Sequence, residues 1–159
     1  MNGDYKITVG VRSIIIKGGR VLLVQQTNRT GRVIYLLPGG GVHNQEDIRS
    51  AVVREVMEET TLEVEPKDIW FVREMISQRG TTYEFIFGVE VIHGEARLGF
   101  DPEQAGLEPK LKGLVYYPID TLEEIELYPT ALKKLIPLRC QEKFAEITFP
   151  VFLEKEIFT

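Results

Sequence analysis

The stretch LLPGGGVHNQEDIRSAVVREVMEETTLEV, residues 36–64, constrains this chain more than any other. Three consecutive glycines, Gly39, Gly40 and Gly41, let a backbone come close to a ligand and leave its carbonyls able to point at one. Straight after them Ile48, Ala51, Val52 and Val56 recur at spacings of three and four, which is the stripe of a helix with one face on a core. The spacing predicts a helix from about Gln45 to Glu59, with Asn44 as its N-cap and the acidic Asp47 three residues on. At about 100° per residue, Glu55, Glu58 and Glu59 then share one side of that helix.

Like charges so placed repel one another. A solvated acidic face is the ordinary explanation of such a cluster. It has no need, however, of three glycines leading into it. A metal-phosphate site uses both features, because Mg²⁺ takes oxygen ligands and joins a few carboxylates to substrate phosphates. On that reading the repulsion among the glutamates is what makes a cation bind.

At 159 residues, with 43% hydrophobic and 27% charged residues, the chain suits one globular domain with its own core. A net charge of -5 and a pI near 5.2 argue against a general electrostatic grip on nucleic acid, which requires clustered Lys and Arg. Any phosphate compound bound here must be neutralised by something other than net charge. Cys140 is the only cysteine, so no internal disulfide forms. No basic-then-apolar signal segment opens the chain, and no run approaches the roughly 18 apolar residues of a membrane span. The expectation is a cytoplasmic protein with no membrane partner and no DNA-binding domain.

Residues 5–16 and 20–26, rich in β-branched side chains and separated by KGG, predict a hairpin of strands. Residues 27–31 are expected as a loop and 33–38 as a short extended piece ending at Pro38. Further strands are expected at 68–77 and 83–92, with a turn between them, and at 114–119. Residues 93–113, polar and rich in Gly and Pro, are expected as a long loop. Short helices are expected at 120–125 and 129–136. The fold class is α+β, mostly strands, with a helix covering the sheet. Residues 1–140 form the domain, and 141–159 form an extension packing at its edge or on a partner subunit, a homodimer included.

The constellation Gly40, five residues, Glu46, seven residues, then Arg54, Glu55, Val56, Met57, Glu58, Glu59, Thr60, Thr61, Leu62 resembles the Nudix box. In that box a Gly, five residues and a Glu are followed after seven residues by Arg-Glu-aliphatic-x-Glu-Glu-x-Gly-aliphatic. Every defining position matches except Thr61, which stands where the family has Gly. A Gly there ends the helix in a left-handed conformation that costs a β-branched residue roughly 1 to 2 kcal/mol. So Thr61 is strained or the helix exits differently. The likeness extends to the hairpin of 10–26, to YLLPGG, and to YYPIDTLEEIELYP, and covers roughly residues 5–137.

The resemblance implies a Nudix fold, a mixed sheet between helices (α/β/α), and a hydrolase of the MutT-like kind. Such enzymes cleave the pyrophosphate bond of a nucleoside diphosphate linked to another moiety, a small nucleotide substrate, with water and a divalent cation, Mg²⁺ or Mn²⁺. It also implies that Glu55, Glu58 and Glu59 carry the metal, helped by the carbonyl of Gly39. Glu55 is further a candidate to orient or deprotonate the attacking water. Glu46 and Arg54 are implied as a pair that holds the loop to the helix. Because they sit in a mutually repelling surface cluster, the carboxylates are expected to matter for turnover and not for stability.

Arg12 and Arg29 are candidates to contact substrate phosphates, since the guanidinium fork suits them, although each also reads as a surface charge. Asp101, Glu103 and Glu108 could supply one more carboxylate. His43 could touch phosphate, and Tyr83, Phe85 and Phe87 could stack a base, but alternation on a strand more often marks a core. His93 and Cys140 carry no pattern of function. Residues 76–80 offer neither a Pro nor a Tyr of the kind that tells subfamilies apart. Two readings stay open on sequence: a metal-dependent pyrophosphohydrolase, and a non-catalytic domain that senses a nucleotide or ADP-ribose.

Overall fold

The computed structural model describes residues 5–99, 111–141, 151–152 and 156–158. Its strands form two five-stranded sheets. In the first, β1 (Lys6–Ile14) lies parallel to β6 (Gly80–His93), which pairs in a long antiparallel hairpin with β5 (Glu63–Ser77). The other edge of β5 takes β9 (Val151–Phe152) and β10 (Glu156–Phe158), both parallel to it. In the second sheet, β3 (Arg20–Thr27) is central, antiparallel to β2 (Ile16–Lys17), β4 (Val33–Leu36) and β7 (Leu111–Pro118), while β8 (Leu127–Tyr128) runs parallel to β4.

Helix α1 (Ile48–Thr60) and helix α2 (Leu132–Arg139), the latter with a 3₁₀ segment at Ile119–Glu124, belong to two different cores. Alternation along the strands explains why. Val11 and Ile15 of the β1 region, Leu22 of β3 and Phe87 of β6 pack with Ala51, Val52 and Val56 of α1. Ile14, Val21, Leu23 and Ile86 point the other way, onto Leu132 and Ile136 of α2 and Leu122. Strand residues with opposite parity therefore bury opposite faces, and the sheets sit between helices as the resemblance implied. The run Val21 to Val24 has no exposed member, as a strand covered on both faces requires.

Several boundaries differ from those read in the sequence. The helix starts three residues later than expected, because Asp47 and not Asn44 is the N-cap. Asp47 Oδ1 accepts from the backbone N–H groups of Arg49 and Ser50 at 2.9 and 3.0 Å, and its other oxygen accepts from Ser50 Oγ. Gln45, expected inside the helix, has a positive φ of 64° and belongs to the loop. Strand β5 begins at Glu63, and the turn to β6 is only two residues long, so that 80–82 are paired. Residues 111–113 of the expected loop are the start of β7.

The end of α1 answers the question Thr61 raised. Thr61 is left-handed, φ 59° and ψ 15°, and its N–H closes on Met57 O at 3.0 Å. Its hydroxyl donates to Glu95 O at 3.1 Å. The chain then returns: the N–H groups of Arg97 and Gly99 donate to the carbonyls of Thr60 and Glu59, each at 2.9 Å. Residues 94–99 thus satisfy orphan carbonyls of the helix that carries the acidic cluster.

Thr61→Gly removes about 1 to 2 kcal/mol of left-handed strain but loses an exposed hydrogen bond and about 0.5 to 1 kcal/mol of chain entropy. The expected outcome in urea unfolding is a stability equal to wild type or up to about 0.5 kcal/mol higher. Thr61→Val, which keeps the strain and loses the hydroxyl, is expected to be about 0.5 to 1 kcal/mol less stable.

Candidate active site

The loop between β4 and α1 is bound to β1 as an extra edge. Ser13 N–H donates to Pro38 O, Val11 N–H to Gly40 O, and Val42 N–H to Val9 O, each at 2.9 Å. Gly39 has φ 145°, and a Cβ there would stand 2.1 Å from Val11 O, so no side chain fits. At Gly40 a Cβ would stand 2.6 Å from Glu55 Oε1. The glycines therefore do two jobs: one lets the loop lie on β1, the next makes room for a carboxylate.

Of the three clustered glutamates, Glu55 is 8% exposed and Glu59 is 5% exposed. This corrects the expectation of a surface cluster. Glu59 Oε2 accepts from Gly39 N–H at 2.9 Å, a bond from the helix to the loop. The expected repulsion is also partly relieved within the chain. Arg54 Nη1 donates to Glu55 Oε1 at 2.7 Å and, one helical turn along, to Glu58 Oε2 at 3.3 Å.

Arg54 meets Glu46 as a fork: Nε to Oε1 at 2.8 Å and Nη2 to Oε2 at 2.9 Å. Nη2 also donates to Gly41 O at 2.8 Å, and Glu46 Oε2 accepts from His43 N–H at 2.9 Å. The Arg54 hydrogen bonds hold the Glu46 carboxyl at about 2, against an ordinary 4.5, with the His43 N–H adding to them and partial burial opposing. In turn, Glu46 first and Glu55 second push the Arg54 guanidinium above its ordinary value.

Arg12 lies beside the same loop, its side chain 23% exposed, with Nη1 on the carbonyls of Leu37 and Gly39 at 3.1 and 2.9 Å. Arg29 stands exposed on the β3–β4 turn, which Asn28 closes by accepting from Thr30 and Arg32 N–H groups. No hydrogen bond or ion pair joins Arg29 to the carboxylate helix among the described residues. Phe87 is in the core and Phe85 packs against it, while Tyr83 donates to Glu74 at 2.9 Å. His93 and Cys140 are exposed. Asp101, Glu103 and Glu108 lie outside the described residues.

The donor chemistry fits a hard divalent cation: three carboxylates on one helical side, two of them buried, next to a glycine loop with backbone carbonyls. Among the described residues no group of three or more His, Cys, Asp or Glu side chains is already placed to hold a metal ion. Among those residues there is also no helix long and apolar enough to cross a membrane.

Sequence reasoning missed two features. Glu84 of β6, 6% exposed, bonds Arg12 at 2.9 Å from the far side of the loop. It sits at a polar position in the alternating run YEFIF, where the pattern suggests solvent. The 94–99 return onto α1 carries no motif at all.

A glycine loop laid on a strand and a helix presenting carboxylates to it define an α+β domain with an acidic candidate site. The family model for the NUDIX domain matches residues 4–138, and the chain belongs to that family. It is similar to an ADP-ribose pyrophosphatase of Methanocaldococcus jannaschii, 35% identical over 99 residues, which are 61% of this chain and 59% of that relative's length. Among solved structures it is similar to the E. coli ORF135 protein, at TM-score 0.69 and 21% identity over 86% of this chain and 93% of that one. It is also similar to a MutT protein of Methanosarcina mazei Go1, at TM-score 0.66 and 20% identity over 85% and 94% of the two chains. At such identities the structural likenesses speak for the fold.

The Glu46 pair generates a test. A carboxyl whose folded value lies below its unfolded one stabilises the fold above the unfolded value and ceases to do so as pH falls towards the folded value. Glu46 therefore contributes stability above 4.5 that is lost between 4.5 and about 2. Urea midpoints measured through this window are expected to fall less steeply with acid in Glu46→Gln than in wild type.

Proposed function

We propose that this chain is a divalent-cation-dependent pyrophosphohydrolase that cleaves the pyrophosphate bond of a nucleoside diphosphate linked to another moiety. The observation that carries the reading is the burial of Glu55 and Glu59 against the glycine loop, in a family member that retains every carboxylate of its box. Charge so gathered and so removed from water is expensive unless it serves a cation.

Glu55, Glu58 and Glu59, with the Gly39 carbonyl, are assigned to hold Mg²⁺ or Mn²⁺. When bound, the ion neutralises phosphate charge and lowers the pKa of water bound to it. The chain's own residues supply positioning, which is most of what phosphoryl chemistry asks of a protein. Glu59 fixes Gly39 through its N–H, and Arg54 holds Glu55 and Glu58 while Glu46 holds Arg54. Glu55 is assigned to orient or deprotonate the attacking water. Arg29, exposed on its turn, and the outer face of Arg12 are assigned to the substrate's phosphates.

The M. jannaschii relative makes ADP-ribose the first substrate to test, with nucleoside triphosphates and nucleotide sugars beside it. We assign the activity to residues 1–140, with 141–159 as an extension, a reading supported by the pairing of β9 and β10 along β5. The compartment assigned is the cytoplasm.

Phosphate release over a panel of ADP-ribose, nucleoside triphosphates, nucleotide sugars and dinucleoside polyphosphates is expected to show turnover of one class that chelator abolishes. Silence across the panel together with tight calorimetric binding of one nucleotide contradicts the enzyme and favours a sensor. Glu59→Gln keeps an acceptor for Gly39 N–H, so its urea midpoint is expected to stay close to wild type. Its turnover is expected to fall at least about 100-fold, the upper range seen when even an outer partner of a metal site is lost.

A further inference from the structure

Glu84 is a buried charge with no place in the chemistry described so far. Its two oxygens each meet a guanidinium: Oε1 accepts from Arg12 Nε at 2.9 Å, and Oε2 accepts from Arg73 Nη1 at 3.4 Å. All three side chains are largely buried, at 7%, 23% and 13% exposed for Glu84, Arg12 and Arg73. Two arginines around one carboxylate, removed from water on the face of a sheet, is a poor way to gain stability, since packed apolar residues do as well or better.

The arrangement is asymmetric, and the asymmetry points to the site. Arg12 continues past Glu84, donating through Nη1 to the carbonyls of Leu37 and Gly39 at 3.1 and 2.9 Å. The N–H of Gly39 is the group that Glu59 binds, and its carbonyl is the one assigned to the cation. A guanidinium is planar and rigid, so holding Nε fixes the direction in which Nη1 points.

We propose that Glu84 is a positioning residue for the cation site, acting through Arg12 to set the carbonyls of Leu37 and Gly39 against the carboxylates of α1. The proposal rests on the metal reading above. Arg73 adds a second guanidinium to Glu84, and the bonds of Arg12 to the carbonyls of Leu37 and Gly39 are what link the pair to the site.

The test is Mn²⁺ affinity, read by the loss of the free-ion electron paramagnetic resonance signal on the full chain, with urea midpoints measured in parallel. Glu84→Gln and Arg12→Gln are each expected to weaken Mn²⁺ by about tenfold, as loss of an outer partner of a metal site does. The double variant is expected to bind no more weakly than Arg12→Gln alone, because the two residues act in series.

Wild-type affinity in a folded Glu84→Gln, or losses that simply add in the double variant, overturns the proposal. Should Glu84→Gln fail to fold, Arg12→Lys carries the test, because it keeps the charge and loses the fork: a loss of about tenfold is expected, and unchanged affinity overturns the proposal. A wild-type protein that binds no Mn²⁺ overturns the metal reading itself, and this inference with it.

Discussion

The guanidinium of Arg54 makes five hydrogen bonds, two to Glu46 and one each to Glu55, Glu58 and the carbonyl of Gly41, and the site exists in its present form because of them. Carboxylates gathered on one helical side repel, and burying two of them adds a desolvation cost. A single delocalised cation, itself partly buried, offsets both while tying the helix to the loop. It leaves the cluster short of positive charge, with three carboxylates and Glu46 against one guanidinium. A divalent ion is the proposed complement to that charge.

The rest of the fold serves to keep the two halves of this arrangement apart by a fixed amount. Strand β1 is used on both edges, by β6 on one side and by the glycine loop on the other. Helix α1 packs its apolar stripe on the same sheet and is closed at its end by residues 94–99. Loop and helix are thus both referred to one rigid layer. Glu59 to Gly39 N–H is the direct strut between them, and Arg12, steadied by Glu84, is a second approach to the same residue.

How much of this could be read from the sequence follows from how local each feature is. The helix, its buried stripe and the placing of Glu55, Glu58 and Glu59 depend on spacings of three and four, and these are legible. The turn at Gly18 and Gly19, both of positive φ, is legible too, but the expected hairpin of 5–16 with 20–26 is only in part correct: Ile16 and Lys17 pair with β3, while β1 pairs with β6 in the other sheet. The N-cap was not legible: Asn44 was expected, and the cap is Asp47, three residues on. Residues 44–46 stay in the loop, where Gln45 has a positive φ and Glu46 accepts from the His43 N–H and from Arg54. Arg54 stands four residues before Glu58, so its contact with that glutamate follows from a local spacing. Arg12 and Glu84 are 72 residues apart, joined by parallel pairing of β1 with β6, and no spacing rule reaches that far. The burial of Glu55 and Glu59 is likewise a property of the loop folding over them.

The measurement that bears most directly on the central claim is paramagnetic broadening of backbone amide signals by substoichiometric Mn²⁺ in the full chain. The site described here predicts that the amides of Gly39, Gly40 and Gly41 and of Glu55 to Glu59 broaden first, at Mn²⁺ levels that leave β8 and α2 sharp. Broadening centred elsewhere on the chain, or spread evenly over its acidic surface, would contradict the assignment of the glycine loop and the α1 carboxylates as the cation site.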